Sequence, residues 1–405
     1  MLLKLAWRNL WRNKMRTGIM LGAMVFGLVG VIAMIAFMTG LMDSMLRNAI
    51  AWQTSHIQIH NQGYIDNPDI NKDIKDLESL QVELAETSNI EAYSARFIAN
   101  GMVASARSTR GIRINGIDID QEQRVTPLSE HIIQGEWLDK ASRKPALVSE
   151  QTANRLQLKV GSKIVVTFSD HNSDVAGSAF RVKGIFKTPS TNFDDNNLYV
   201  RKSDLEKLAG LQGAHEIAIV VGDQEQLTST LAALQSESSV QNLVRDWKQV
   251  QPLLASMTSS MKTSNQVILS IFVLAMGFGI INIMLMSVFE RTREFGVLMA
   301  VGMQKHKIFV LILLEATLLG LCGATLGVGL CILLVELIGQ HGFSLGAMAD
   351  GLGSFGIDTQ IYPSVATDDY VMAVVAVILA STIAAIYPAF QILKKHPAQA
   401  MAEKH

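Results

Sequence analysis

The stretch Asn265–Phe289, NQVILSIFVLAMGFGIINIMLMSVF, carries no charge, and Glu290–Met303, ERTREFGVLMAVGM, follows it with four charges among its first five residues. About 20 residues at roughly 1.5 Å each cross about 30 Å of hydrocarbon. The first piece is therefore long enough to span a bilayer, and the second marks where the chain leaves it. Three further segments share this character. Gly18–Leu41 is uncharged, Ile308–Val335 is apolar apart from Glu315, and Tyr370–Leu393 is uncharged and contains Pro388. Core helices of soluble proteins seldom run so long without charge. The first segment also exceeds the roughly 7–15 apolar residues of a signal peptide, so it reads as an uncleaved anchor. The expected fold is a membrane protein with four transmembrane α-helices and a large extracytoplasmic α+β domain inserted between helices 1 and 2.

Composition agrees. Only 18% of the 405 residues are charged, against about 25% in a soluble domain. The 35 Lys+Arg against 36 Asp+Glu leave a net charge of −1, which gives no electrostatic reason to expect nucleic acid. Both cysteines, Cys322 and Cys331, fall in the third span, so no disulfide is expected outside the membrane. Lys4, Arg8, Arg12, Lys14 and Arg16 precede span one; Arg291, Arg293, Lys305 and Lys307 lie between spans two and three; Lys394 and Lys395 follow span four. By the positive-inside rule these parts face the cytoplasm. The resulting division is an interfacial helix at 1–17, spans at 18–41, 265–289, 308–338 and 370–393, an external domain at 42–264, a cytoplasmic segment at 290–307, an external loop at 339–369 and a cytoplasmic tail at 394–405.

In the external segment, alternating or β-branched runs predict strands at His56–His60, Arg96–Ser105, Gly111–Ile117, Lys163–Phe168, Phe180–Phe186, Asn197–Val200 and Glu216–Val221. Helical spacing predicts Ile74–Ala85, Glu150–Leu156, Ser203–Leu208 and Gln224–Gln235. Ser203 followed by Glu206 reads as a capping box. Asp170–Gly177 reads as a hairpin tip and Thr188–Asn197 as a polar loop, and the length suits two subdomains.

Chemistry-bearing motifs are sparse. His56 and His60 share a strand face but stand roughly 13 Å apart at about 3.3 Å per residue, too far to ligate one metal by themselves. Gly342-Phe343-Ser344-Leu345-Gly346 has the G-x-S-x-G spacing, but it sits between two membrane spans rather than in the strand-turn-helix a nucleophile needs. No G-x-x-x-x-G-K-[ST] occurs, so no P-loop of this chain binds ATP. We expect a non-catalytic chain with no bound cofactor or metal.

On the cytoplasmic side, Trp7 and Trp11 lie one turn apart, as do Arg8 and Arg12. A helix there would set an aromatic stripe beside a basic one, as suits the membrane interface and its lipid headgroups. In the 290–307 segment, Phe295, Leu298 and Met299 form one apolar face at i, i+3, i+4, and Gly302 is placed to end the helix. The residues alone support two readings equally: an anchor face for a groove on another protein, or an amphipathic turn resting on headgroups. Glu315, about two turns into span three, is expected to pair with Arg291 or Arg293. Ala316, Gly320, Gly323, Gly327 and Gly329 read as close helix packing.

Glu290–Met303, with Ile308 and the Leu314-Glu315-Ala316 entry into span three, resembles the coupling-helix region of MacB/FtsX-type ABC transporter permeases. Ala6-Trp7-Arg8-Asn9-Leu10, Arg16-Thr17, Leu158–Lys163, Phe180–Phe186, Tyr387-Pro388-Ala389 and His396-Pro397-Ala398 are similar to further parts of that family, in the same order. The resemblance implies a subunit of a bacterial inner-membrane transporter working by mechanotransmission. A second copy or paralogue of the permease and two copies of a cytoplasmic ATPase, which holds ATP and Mg, would complete it. Glu290, Arg291, Arg293, Glu294, Phe295, Gly296, Leu298, Met299 and Gly302 would couple to that ATPase, with Phe295, Leu298 and Met299 as anchors. The macrolide exporters carry the ATPase on the same chain and this sequence does not, which implies a separate subunit. Lipoprotein-releasing permeases share the split arrangement, although their N-terminal and coupling sequences look less like this one. The implied activity is extrusion or extraction of a hydrophobic or lipidated substrate (lipoprotein, lipid, peptide or drug), with a periplasmic adaptor or lipoprotein as a further partner. The alternative is an FtsX-like transmitter that regulates an external cell-wall hydrolase without transport.

Overall fold

The computed structural model describes residues 2–344, 346 and 349–394. Leu345, Lys395 and the His396-Pro397-Ala398 signature lie outside the described residues. Helices α1 (Leu2–Leu10) and α2 (Lys14–Asn48) open the chain. Then come β1 (Ile57–Asn61), α3 (Leu77–Glu86), β2 (Ile90–Ala104), β3 (Thr109–Ile117), α4 (Ile119–Val125), β4 (Ile132–Gly135), β5 (Pro145–Ser149), α5 (Glu150–Leu156), β6 (Lys163–Ser169) and β7 (Val175–Phe186). They are followed by α6 (Thr191–Asn196), β8 (Asn197–Arg201), α7 (Lys202–Ala209), β9 (Glu216–Val221), α8 (Leu227–Glu237), β10 (Asn242–Asp246) and α9 (Trp247–Val250). The chain continues with α10 (Pro252–Glu290), α11 (Thr292–Ala300), α12 (Lys305–His341), α13 (Ala349–Leu352) and α14 (Thr367–Lys394).

Two compact units result: one from 1–41, 259–343 and 361–405, the other from 42–258 and 344–360. In the first, α2, α10, α12 and α14 are the four helices long and apolar enough to cross a membrane among the described residues, with mean hydropathy of 2.6, 2.5, 2.4 and 2.3. α2 and α10 are helical well past the apolar spans, because helix formation does not stop where hydrocarbon does. α12 packs against α14 and α1, and its small residues explain how. A Cβ on Gly320 would collide with Ser381 Oγ, one on Gly323 would press on Met24, and one on Gly327 would lie 2.8 Å from Leu28 Cδ2. Gly329 has nothing within 4 Å. Thr317 Oγ1 and Thr382 Oγ1, 2.9 Å apart, tie α12 to α14.

The second unit is built on one ten-stranded sheet in the order β10-β1-β9-β2-β3-β8-β5-β7-β4, with β6 joining β2 to β7. Pairings β2–β3, β3–β8, β8–β5, β5–β7, β7–β6 and β6–β2 close a ring. These six strands form a small barrel filled by Phe97, Val103, Ile114, Val148, Ile164, Phe180, Val182, Leu198 and Val200. Closure removes open edges. β2 is long enough for its first half to leave the barrel and pair with β9. The four strands β10-β1-β9-β2 then pack one face on Leu80 and Leu84 of α3 and Leu234 of α8, through Ile57, Ile59, Ile217, Ile219 and Val244.

The predicted strands and helices are present, with three corrections. The capping box at Ser203 and Glu206 is not formed. β8 runs straight into α7, so Arg201 is the N-cap and Ser203 lies inside the helix; Arg201 Nε takes Asp204 Oδ2 at 2.7 Å instead. The loop at Thr188–Asn197 contains α6, whose N-cap Ser190 accepts from Phe193 N. The N-terminal helix stops at Leu10, leaving Trp11 and Arg12 beyond it. Asn13 Oδ1 accepts from Arg16 N at 3.3 Å and so starts α2, as short polar side chains do at helix N-termini.

The packing on α12 generates a paired test. Gly320→Val forces side chains apart and should destabilise the detergent-solubilised chain by about 1–3 kcal/mol, whereas Gly329→Val should leave its melting temperature unchanged. Equal melting curves for the two variants would refute the assignment of Gly320 to the α12–α14 contact.

Candidate functional site

The charged residues singled out from the sequence around α11 meet at the junction of α1, α11 and α12. A carboxylate in an apolar helix needs partners for both oxygens. Glu315, 8% exposed, has them: Arg291 Nη1 donates to Oε2 at 2.8 Å and Asn9 Nδ2 to Oε1 at 2.7 Å. Arg291 Nε also donates to Glu294 Oε2 at 3.2 Å, and its guanidinium lies 5.0 Å from the Phe295 ring centroid. Arg12 Nη2 grips both oxygens of Glu294, at 2.7 and 2.9 Å, and Arg16 Nη1 reaches Glu290 Oε2 at 2.9 Å. Burial pushes the Glu294 carboxyl up, but hydrogen bonds from Arg12 and Arg291 outweigh it and hold it below the usual carboxylate range.

α11 ends in a Schellman motif. Gly302 has φ +99°, its N–H donates to Met299 O at 3.1 Å, and Met303 N–H donates to Leu298 O at 3.0 Å. Two expectations need correction here. Phe295 cannot anchor a partner, because it is 1% exposed and belongs to the core with Leu10, Ile308, Ile312 and Ala316. Arg291 is turned inward to Glu315 and does not present its charge outward. Gly296 is also buried, and Leu298 and Met299 are half-buried against the same core. The outward face of α11 is Arg293, Val297 and Ala300, continued by Val301, which is 83% exposed. Sequence reading missed Val297, Val301 and the role of Asn9; the spacing 293, 297, 301 was the available signal. Trp7 and Trp11 are exposed and touch edge to face, with ring centroids 5.9 Å apart. Beside them Lys4, Leu5, Arg8, Leu298, Val301 and Lys307 line a groove of about 670 Å³.

The second unit holds a polar cluster that the sequence did not reveal. Strand alternation puts Ile57, Ile59, Ala95, Ile217 and Ile219 on one face. Gln58, His60, Arg96, Arg113 and Glu216 fall on the other. Arg96, 5% exposed, donates to Glu122 Oε1 and Oε2 at 2.7 and 2.9 Å, to Glu216 Oε1 at 2.7 Å and to Thr126 Oγ1 at 2.8 Å. Arg113 Nη2 donates to Glu216 Oε2 at 2.7 Å. Burial raises the Glu216 carboxyl, but Arg113 and Arg96 outweigh it and hold it at about 2. His60 Nδ1 lies 2.9 Å from His215 O, and burial keeps its ring below the usual imidazole range. His56 Nδ1 accepts from Val221 N–H at 3.2 Å.

Four apolar helices, a barrel-based domain inserted after the first, and a charged segment after the second define a membrane permease-type architecture. Residues 17–246 match the MacB-like periplasmic core domain, and residues 266–397 match the FtsX-like permease C-terminal domain. The chain belongs to the MacB/FtsX-like ABC transporter permeases and is a multi-pass membrane protein with a periplasmic-type external domain. It is 45% identical over 87 residues to the macrolide export ATP-binding/permease protein MacB of Shewanella sp. (strain W3-18-1), covering 22% of this chain and 13% of that one. The MacB of Campylobacter jejuni strain 81-176 is 26% identical over 336 residues, 76% of this chain and 49% of that one. An uncharacterized ABC transporter permease of Methanocaldococcus jannaschii is 27% identical over 216 residues, 51% of this chain and 52% of that one. Where its match is long, the chain spans about half the length of the curated relative. The solved periplasmic region of MacB from Actinobacillus actinomycetemcomitans is 16% identical, with a TM-score of 0.36 over 52% of this chain and 97% of that one.

Two measurements follow from these networks. Glu315→Gln leaves the buried Arg291 without a full counter-charge and should cost about 3–5 kcal/mol in detergent unfolding. The double variant Arg291→Met, Glu315→Leu should recover most of that loss; failure to recover would show the pair acts in some other way. The Glu216 carboxyl is depressed from 4.5 to about 2 on folding, so its contribution is present above pH 4.5 and is lost as pH falls toward 2. Glu216→Gln should therefore destabilise the protein on the order of 3 kcal/mol at neutral pH, and the gap to the parent should close in acid. A gap that stays constant with pH would contradict the ion-pair account.

Proposed function

We propose that this chain is the mechanotransmitting permease subunit of a bacterial inner-membrane ABC transporter, with both termini in the cytoplasm. Membership of the ABC permeases implies an ATPase partner. In our reading two ATPase copies bind ATP and Mg and drive two permease copies, or this chain and a paralogue. Movement of the external domain then extrudes or extracts a hydrophobic or lipidated substrate.

The observation that carries this reading is the continuous chain of ion pairs Arg12–Glu294–Arg291–Glu315, closed by the hydrogen bond from Asn9 to Glu315. It ties α11 at once to the N-terminal segment and to α12, so a push on the outward face of α11 is transmitted as a rigid shift rather than absorbed locally. That face, Arg293, Val297, Ala300 and Val301, with the groove lined by Arg8, Leu298 and Lys307 beside it, is where the ATPase would seat. An apolar strip rimmed by cations suits a helix-in-groove contact.

The outer link of the chain separates function from folding. Arg12 and Glu294 are 53% and 47% exposed, and exposed pairs contribute only about 0–1 kcal/mol to stability. Arg12→Glu should leave melting nearly unchanged, whereas Glu294→Arg, which also removes a contact of the buried Arg291, should lower it; both should abolish stimulation of the co-reconstituted ATPase, and the double reversal should restore much of it. Full stimulation in both single variants would overturn the coupling role. Native mass spectrometry of the same complex gives its stoichiometry, and a co-purifying lipid or lipoprotein against a bound cell-wall hydrolase distinguishes transport from signalling.

A further inference from the structure

We propose that the polar face of the external-domain sheet forms a binding cleft for a small carboxylate ligand of peptide character, with Arg245 as the group that takes the carboxylate. The cleft holds about 400 Å³, within the size range of small-ligand sites. It lies wholly inside the external unit and is independent of the coupling reading above, so neither stands or falls with the other.

Charge accounting identifies the ligand's head group. Arg96 and Arg113 are matched by Glu122 and Glu216 through direct ion pairs. His60, between them, is kept toward its neutral form by burial. Arg245, opposite Gln58 in the β1–β10 register, also lines the cleft. Among the described residues no carboxylate lies within ion-pair distance of it, and the field of Asp66 reaches it only from farther off. Its Nε is shut off from solvent and has no hydrogen-bond partner.

The surplus in the wall is thus one positive charge, which matches one negative charge. A carboxylate supplies that and fits the guanidinium fork in bidentate fashion. A phosphomonoester would bring about −1.5 to −2 and leave charge uncompensated. The remaining wall offers the side-chain amides of Asn192 and Asn196, complementary to a peptide group, and the apolar surface of Ile65 and Tyr64 for a side chain.

Calorimetric titration of the full chain in nanodiscs with N-acetyl-phenylalanine, its primary amide and phenyl phosphate tests this. The acid should bind saturably, with the amide and the phosphate each at least about tenfold weaker, which is about 1.4 kcal/mol. Arg245→Gln should erase the preference for acid over amide without lowering the melting temperature, since no ion pair is lost. Arg245→Lys should keep part of it, and Arg107→Gln, an exposed position, should change nothing. Equal binding of acid and amide, tighter binding of phenyl phosphate, unaltered binding in Arg245→Gln, or no saturable binding at millimolar acid would each overturn the proposal.

Discussion

An ionised carboxylate in an apolar helix is tolerated only where both oxygens are met, and Glu315 imposes that condition on the membrane unit. Meeting it requires Arg291 to turn inward. Arg291 and Phe295 are four residues apart and share a helical face, so the ring follows the guanidinium into the core and stacks beneath it. The phase of α11 is thereby set: Arg293, Val297 and Val301 must face out. Asn9 completes the shell and fixes α1 against α12, and the break at Trp11–Asn13 lets Arg12 and Arg16 reach the acids of the next segment. One buried charge thus orders three elements that are far apart in sequence.

The limits of sequence reading follow from the same physics. The four long helices were legible because absence of charge over a bilayer's length is a local property. A strand whose apolar and polar residues alternate was legible, as at Ile57–Asn61, although both of its faces are buried. β5 was not, because Pro145–Ser149 runs apolar on both faces and shows no period. α6 was hidden because Thr191–Asn196 has one apolar residue, Phe193, and is held by its cap. The capping box at Ser203 misled because chain connectivity gave the N-cap to Arg201. For α11 the i, i+3, i+4 pattern found the apolar face correctly. It could not tell whether that face meets this chain's own core or a partner, since the deciding residue, Glu315, lies 16 to 20 positions away.

The polar cluster of the external domain was illegible for a related reason. Gln58, His60, Arg96, Arg113 and Glu216 each sit at the polar positions of alternating strands, which in isolation signal a solvated face. In the folded sheet these positions stack across β1, β9, β2 and β3, and Glu122 of α4 is laid over them. Desolvation then has to be offset by pairing. The four hydrogen bonds of Arg96 and the two cations around Glu216 do this, and they sit where β2 passes from the barrel to its pairing with β9. Buried ion pairs are weak sources of net stability, so their value here is in specifying that crossover.

The two networks differ in one respect that bears on function. On the membrane unit each buried charge is closed by a partner in the chain: Glu315 by Arg291 and Asn9, and Arg291 by Glu315 and Glu294. A closed network resists substitution and transmits force. On the external sheet the same accounting leaves Arg245 over, lining a cleft with its Nε unmatched. Folding does not require that charge, since Gln58 opposite it holds the strand register through the backbone. A cation that the fold does not use, in a walled cleft beside amide side chains, is matched to something that arrives from outside.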